Sequence, residues 1–224
     1  MCFSAGVSFA SGIVISAIGI ATLGKVSKPA QKLFAGIPLL FGFQQFTEGV
    51  LWITLRSSGG YEGLQNTATY IFLITALVIW PVLIPLSMWF MEKVKTRKKI
   101  LAILIFAGSI TSLFYGFCLI FYNVTPQIQS FHIQYIDDFP WPIVSIIFIF
   151  YFAVTVAPLF VSSVRRAWLF GILITISYIV TRIFYAQYLT SVWCFFAALL
   201  SVVIYWILRG SRRNTSQAPT ESQP

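Results

Sequence analysis

The chain has 224 residues, of which 58% are hydrophobic and only 9% are charged. A soluble domain carries about 25% charged residues, so this composition excludes the soluble globular class and indicates a membrane protein. The net charge of +9 does not indicate nucleic-acid binding, because the basic residues lie in short connections between apolar segments, where Lys and Arg orient membrane proteins. We therefore expect no nucleic-acid partner and a single membrane domain in contact with the lipid bilayer.

Seven apolar segments follow one another along the chain, and each is long enough to cross a bilayer as a helix of roughly 20 residues. They cover residues 5–24, 33–55, 68–90, 100–122, 142–164, 167–188 and 191–208. These segments predict an all-α fold, a polytopic membrane bundle of seven transmembrane helices within residues 1–209. The polar composition of residues 210–224 predicts a disordered tail.

The distribution of Lys and Arg predicts the orientation of this bundle. Thirteen of the fifteen basic residues fall in the first, third and fifth connections and in the tail, whereas only Arg56 falls in the connections on the opposite side. The positive-inside rule assigns the basic side to the cytoplasm. We therefore predict an outer N-terminus, a cytoplasmic C-terminus and a multi-pass location in the plasma (inner) membrane.

Small residues and prolines predict how some of the segments pack. Ser8, Gly12 and Ser16 are spaced four apart in the first segment, which is typical of a seam where two membrane helices approach closely. Pro81 interrupts the third segment, so we expect a local distortion of that helix for which neighbouring helices compensate.

Two charged residues, Glu48 and Arg182, fall inside the predicted spans. Each costs about 2.5–3.5 kcal/mol at the bilayer centre, so each is expected to face the bundle interior and to have a partner. Glu48 lies seven positions and Arg182 six positions before the end of its segment, hence at similar depth in the outer half. An ion pair between them is geometrically reasonable, and a structural pair and membership of a binding site are equally consistent with the sequence.

Polar and aromatic residues share helix faces with these two charges. Residues three and four apart lie on one face of a helix, which groups the second segment's residues around Glu48 and the sixth segment's around Arg182. The last segment adds Trp193. The candidate ligand-binding residues are therefore Gln44, Gln45, Glu48, Trp52, Tyr178, Arg182, Tyr185 and Trp193. Because polar groups concentrate in the outer half, we predict an outward-facing pocket with apolar walls and a few convergent polar groups.

Cys2, Cys118 and Cys194 are the three cysteines, and all lie towards the predicted outer side. One disulfide among them is possible in an oxidising compartment, but the sequence does not define which two cysteines would form it. The favoured interpretation is that the cysteines are small buried residues. Cys2 and Cys194 are also candidate nucleophiles.

The sequence argues against metal and retinal chemistry. His132 is the only histidine and, with Asp137 and Asp138, lies in a connection, which favours a solvated loop over a metal site and excludes a multi-histidine zinc centre. Every lysine lies in a predicted cytoplasmic connection, so the lysine that a retinal Schiff base needs inside the bundle is missing. We expect no metal site, and the sequence does not identify a cofactor.

Three short stretches carry a resemblance to a family. They are Met1-Cys2-Phe3-Ser4-Ala5, Gln44-Gln45-x-x-Glu48-Gly49-x-x-Trp52 and Trp193-Cys194. Together with the helix layout they resemble an uncharacterised set of bacterial multipass membrane proteins that begin with this pentapeptide. The resemblance implies a bacterial integral membrane protein and implies no activity.

Two functions follow from this reading. The first is a non-enzymatic protein that binds a small molecule or lipid in the outer pocket, with a sensor, transport or accessory role and a further membrane or cytoplasmic protein as its partner. The alternative is an intramembrane enzyme acting on a lipid or small molecule, with Glu48 as acid or base and a cysteine as nucleophile.

Overall fold

The computed structural model describes residues 4–57 and 59–216, most of which are helical. The helices are α1 (Ala5–Leu23), α2 (Lys32–Ala35), α3 (Ile37–Arg56), α4 (Glu62–Leu73), α5 (Trp80–Met91), α6 (Lys95–Phe121), α7 (Trp141–Val161), α8 (Ala167–Phe184), α9 (Leu189–Leu200) and α10 (Val202–Ser216). Two strands, β1 (Val124–Gln129) and β2 (His132–Asp137), pair antiparallel between α6 and α7. Short 3-10 turns cover Pro29–Gln31 and Ala186–Tyr188, and a π-helical segment, Ile74–Ile79, joins α4 to α5.

Six helical stretches in the described part are long and apolar enough to cross a membrane. They are Ala5–Leu23, Glu62–Met91, Lys95–Phe121, Trp141–Val161, Ala167–Phe184 and Ala186–Arg209. The predicted helical membrane bundle is therefore confirmed, and among residues 4–57 and 59–216 no sheet forms its core. Helix α3 does not belong to these six, although its 20 residues extend about 30 Å, because Gln44, Gln45 and Glu48 lower its mean hydropathy.

The structure differs from the sequence prediction at three places. The connection expected to be a solvated loop contains the β1–β2 hairpin, whose Ile133 is fully buried. Helix α8 ends at Phe184, whereas the apolar segment was predicted to continue to residue 188. Helix α10 extends to Ser216 where disorder was predicted from residue 210, and residues 217–224 lie outside the described residues.

The predicted small-residue seam on α1 is confirmed where this helix packs against α3. Ser8 and Gly12 are buried, and the backbones approach so closely that a Cβ at Gly42 of α3 would collide with Ser16. The same Cβ would lie 3.1 Å from the carbonyl oxygen of Gly12. The seam holds α3 deep in the bundle, where its Leu51 is fully buried.

The predicted distortion at Pro81 takes the form of the π-helical segment Ile74–Ile79, which ends two residues before this proline. A proline has no N–H to donate to the preceding turn, so carbonyl groups there need other donors. The hydroxyl of Tyr151 donates to the Ala76 carbonyl oxygen and that of Ser112 to the Val78 carbonyl oxygen, both at 2.6 Å. Neighbouring helices α7 and α6 thus complete the hydrogen bonding of this segment, as membrane helices require.

The helices define two ends of the bundle. The basic end comprises the connections that follow α1, α5 and α7, and the hairpin end comprises the β1–β2 hairpin and the Ala186–Tyr188 turn. At the hairpin end, β1 contacts α3 while β2 contacts α9 and the turn. These contacts fasten the hairpin over the bundle.

Glu92 links two connections at the basic end. Its carboxylate accepts hydrogen bonds from the backbone N–H groups of Lys93, Val94 and Ser163, at 2.6–2.8 Å, and from the Ser163 hydroxyl at 2.7 Å. Burial raises the pKa of Glu92, but the hydrogen bonds outweigh this effect and lower the pKa from 4.5 to about 2. Glu92 is therefore an ionised carboxylate that ties the α5–α6 connection to the α7–α8 connection.

Candidate functional site

The polar stripe predicted on α3 lies in the interior of the bundle. The side chains of Gln44, Gln45, Glu48 and Trp52 have no exposed surface. Helix α3 turns this stripe towards α1, α5 and α9, since these helices supply the neighbouring polar groups. We call Gln44, Gln45 and Glu48, together with the α9 residues Ser191 and Cys194, the buried polar centre.

Hydrogen bonds connect the buried polar centre to three helices. The Ser191 hydroxyl of α9 donates to the Glu48 carboxylate. The Ser11 hydroxyl of α1 and the indole N–H of Trp80 of α5 donate to the side-chain oxygens of Gln45 and Gln44, respectively, each at 3.3 Å. The polar residues that lower the hydropathy of α3 thus hold it among its neighbours.

Several buried polar atoms in and around this centre have no hydrogen-bond partner in the described part of the chain. They are Ser8 Oγ, Gln44 Nε2, Gln45 Nε2, Trp52 Nε1 and Trp193 Nε1. Most buried polar groups in proteins have a partner, which is another protein group, a water molecule or a ligand. The centre therefore has hydrogen-bonding capacity beyond its protein contacts.

The cysteines occupy different places. Cys194 lies beside Glu48 and Gln44, whereas Cys118 lies in α6, and both are buried free thiols. Cys118 and Cys194 therefore do not form a disulfide with each other, and Cys2 lies outside the described residues. Of the two cysteines that the structure describes, Cys194 is the one at the buried polar centre.

Arg182 does not pair with Glu48, in contrast to the expectation from the sequence. The expectation placed both residues at one depth, but α8 ends at Phe184, so Arg182 lies in its last turn while Glu48 lies in the middle of α3. Glu48 is fully buried beside Ser191, whereas Arg182 is exposed at the hairpin end. A long cationic side chain near a helix end reaches the interface without a buried partner.

Arg182 instead contributes to the wall of a large cavity at the hairpin end. The cavity has a volume of about 740 Å³ and is lined by residues of α7, α8, the hairpin and the Ala186–Tyr188 turn. Tyr178, one turn before Arg182, lies in the same wall. This volume is within the range of about 300–1,000 Å³ that is typical of small-molecule sites.

Aromatic side chains form the floor between this cavity and the buried polar centre. The ring of Tyr178 lies 4.6 Å from that of Phe152 and 5.4 Å from that of Trp193. On the far side of Trp193 is a smaller, mostly apolar cavity of about 40 Å³, which Cys194 also lines. A volume of this size holds a few water molecules.

The structure thus brings six of the eight predicted site residues to two separate places. Gln44, Gln45, Glu48 and Trp52 belong to the buried interior, Tyr178 and Arg182 line the hairpin-end cavity, and Trp193 lies between them. Tyr185 does not line the cavity but packs edge-on against His132 of the hairpin at 5.2 Å.

The hairpin supplies polar cavity residues that sequence reasoning did not select as binding residues. Asp137 and Gln134 line the cavity, as does Tyr188 of the adjoining Ala186–Tyr188 turn, and the buried side-chain oxygen of Gln134 has no hydrogen-bond partner among the described residues. Burial raises the pKa of Asp137, and the neighbouring Asp138 raises it further, while a hydrogen bond from the Phe139 N–H lowers it. The partial alternation of apolar and polar residues within 124–137 is the signal in the sequence that could have indicated the hairpin.

Comparison with known proteins identifies the chain at the level of its family. A family model, a family of unknown function designated DUF6629, matches residues 1–220. No curated protein matches the chain significantly, and neither does any solved structure. Since the match covers nearly the whole sequence, the chain belongs to this family of unknown function.

Proposed function

We propose that the protein is a seven-span membrane protein that binds a small molecule or lipid in the hairpin-end cavity. The cavity carries this proposal, because it combines a ligand-sized volume of about 740 Å³, aromatic walls and the opposite charges of Arg182 and Asp137. Pockets with apolar walls and a few convergent polar groups are the usual form of small-molecule sites.

Helix α3 is the proposed seventh span. It is long enough to cross the bilayer, and its polar side chains are buried against other helices instead of facing lipid. Seven spans place the N-terminus and the C-terminus on opposite sides, and the positive-inside rule then assigns the basic end to the cytoplasm and the hairpin end to the outside. The proposed location is the plasma membrane of a bacterium.

In this proposal the protein is not an enzyme, and it binds the molecule in a sensor, transport or accessory function. The basic connections are the surface through which a second membrane or cytoplasmic protein would respond to binding. An enzyme that uses Glu48 and Cys194 has less support, because both side chains are buried and the adjoining cavity of about 40 Å³ is too small for a substrate.

The test is to identify by mass spectrometry what co-purifies with the full chain from mild detergent. We expect a stoichiometric small molecule or lipid with the wild type and much less of it with Arg182→Gln. The matched control is Arg56→Gln, because Arg56 is also exposed at the end of its helix but does not line the cavity.

A second pair of variants tests the cavity itself. Ser145 and its neighbour Ile146 are both exposed, but Ser145 lines the cavity and Ile146 does not. Ser145→Phe is expected to fill part of the cavity and reduce ligand retention, and Ile146→Phe is expected to leave it unchanged. Equal retention by all four variants and the wild type would remove the support for this site.

A further inference from the structure

One side of the hairpin-end cavity faces the surface that the bilayer would cover. Trp141, Ser145 and Ile149 line the cavity from one face of α7, where they are spaced four residues apart. Trp141 and Ile149 nevertheless remain 70% and 69% exposed, respectively. The cavity therefore opens sideways between helices, because its α7 wall is also part of the apolar outer surface of an apolar span.

The apolar interior of the cavity suits a hydrocarbon chain. Leu77, Val144 and Phe148 line it beside the exposed Ile149. Tyr178 forms its inner wall, where its ring packs against those of Phe152 and Trp193. A molecule in the bilayer would reach this surface without crossing water. A soluble ligand gains nothing from an opening of this kind, whereas a lipid can enter through it with its tail still in the membrane.

Both charged residues that line the cavity lie on the side of it that is next to the hairpin. Arg182 is in the last turn of α8, and Asp137 ends β2 of the hairpin. A guanidinium group binds phosphate oxygens through several directed N–H donors. A carboxylate is an acceptor for the N–H groups of an ammonium group. The unpaired side-chain oxygen of Gln134 adds a further acceptor on the Asp137 side.

We infer, on the basis of the proposed function, that the cavity binds a phospholipid whose phosphate lies against Arg182 and whose primary ammonium lies against Asp137. Phosphatidylethanolamine has this chemistry. The lipid enters from the bilayer between α7 and α8, with its headgroup under the hairpin and an acyl chain along the α7 face. Phosphatidylglycerol has the phosphate but lacks the ammonium group.

The inference is tested by native mass spectrometry of the full chain in mild detergent, titrated with phosphatidylethanolamine or phosphatidylglycerol of identical acyl chains. A hydrogen bond to a charged group is stronger than one between neutral groups, so we expect the wild type to bind phosphatidylethanolamine at least about tenfold more tightly. Asp137→Asn is expected to abolish this preference, and the matched control Asp138→Asn to retain it, because Asp138 does not line the cavity. Arg182→Gln is expected to weaken both lipids about tenfold, and Arg56→Gln neither.

The contrary outcomes separate the inference from the proposed function. Equal affinity for both lipids, unaffected by Asp137→Asn, refutes the ammonium contact while binding in the cavity stands. Competition by water-soluble phosphoethanolamine as strong as that by the whole lipid refutes entry from the bilayer. Co-purification of a different molecule that Arg182→Gln releases refutes the phospholipid and supports the cavity. A wild type that binds neither lipid and retains no other molecule refutes both.

Discussion

The buried polar centre and the hairpin-end cavity each contain one of the two charged residues that the sequence places inside a span. Glu48 is fully buried in the middle of α3, where Ser191 donates to its carboxylate. Arg182 is exposed in the last turn of α8, where it lines a cavity of about 740 Å³. The two residues differ in their depth along their helices and in whether neighbouring protein closes over them.

This difference separates a packing role from a binding role. A polar group sealed in the bundle must be satisfied by its neighbours, and it therefore fixes the helices that supply them. A cation near a helix end reaches the interface and is available to a ligand. The stability of the protein should accordingly depend on Glu48, and its ligand binding on Arg182.

The largest expected effect is that of Glu48→Ala. The substitution leaves the Ser191 hydroxyl without its acceptor and opens a void in a fully buried site. We expect a loss of about 3 kcal/mol in the free energy of unfolding, measured by denaturant titration in mixed micelles. Glu62→Ala is the control, because Glu62 is exposed, and its effect is expected within about 0.5 kcal/mol. A Glu48→Ala protein as stable as this control contradicts the packing role.

Glu92 provides a second buried carboxylate, which is ionised at the basic end of the bundle and whose contribution to stability depends on pH. Its folded-state pKa of about 2 is below the ordinary value of 4.5. Its stabilisation is therefore complete above pH 4.5 and is lost as the pH falls towards 2. At neutral pH this contribution is about 2–3 kcal/mol.

Glu92→Gln tests this contribution, since the amide cannot be ionised. We expect the wild-type advantage in unfolding free energy over Glu92→Gln to be constant from pH 7 to 5 and to shrink below pH 4.5. Glu62→Gln is the control for exposed carboxylates and is expected to show little such dependence. A wild-type advantage that grows on acidification contradicts the lowered pKa of Glu92.

Much of the fold follows from patterns that are local in sequence. Long apolar segments predicted the helical bundle, and the spacing of Ser8, Gly12 and Ser16 predicted the seam against α3. The polar stripe of α3 indicated a buried face, because Gln44 and Glu48 could not face lipid at low cost. These properties depend on composition and helical periodicity, which the sequence displays directly.

The site was less predictable because it depends on helix ends and on contacts distant in sequence. Hydropathy alone does not distinguish the end of α8 at Phe184 from the apolar residues that follow it. The sequence therefore predicted Arg182 in the interior of the bundle, whereas the structure places it in the last turn of α8. Asp137 reaches the cavity only because β2 pairs with β1 over the bundle. Neither the register of a hairpin nor the opening of a cavity between α7 and α8 is encoded in the residues of a single segment.

The smallest expected effect is the energetic coupling between Glu48 and Arg182. Because the two side chains occupy separate surroundings, the destabilisations caused by Glu48→Gln and Arg182→Ala should add in the double variant within about 0.5 kcal/mol. Glu92→Gln with Ser163→Ala is the positive control, since these residues are hydrogen bonded, and coupling of about 0.5–3 kcal/mol is expected there. Coupling between Glu48 and Arg182 as large as in this control would restore the ion pair that the sequence suggested. Additivity, together with ligand loss on substitution of Arg182 but not of Glu48, would place packing and binding on separate charges of the same bundle.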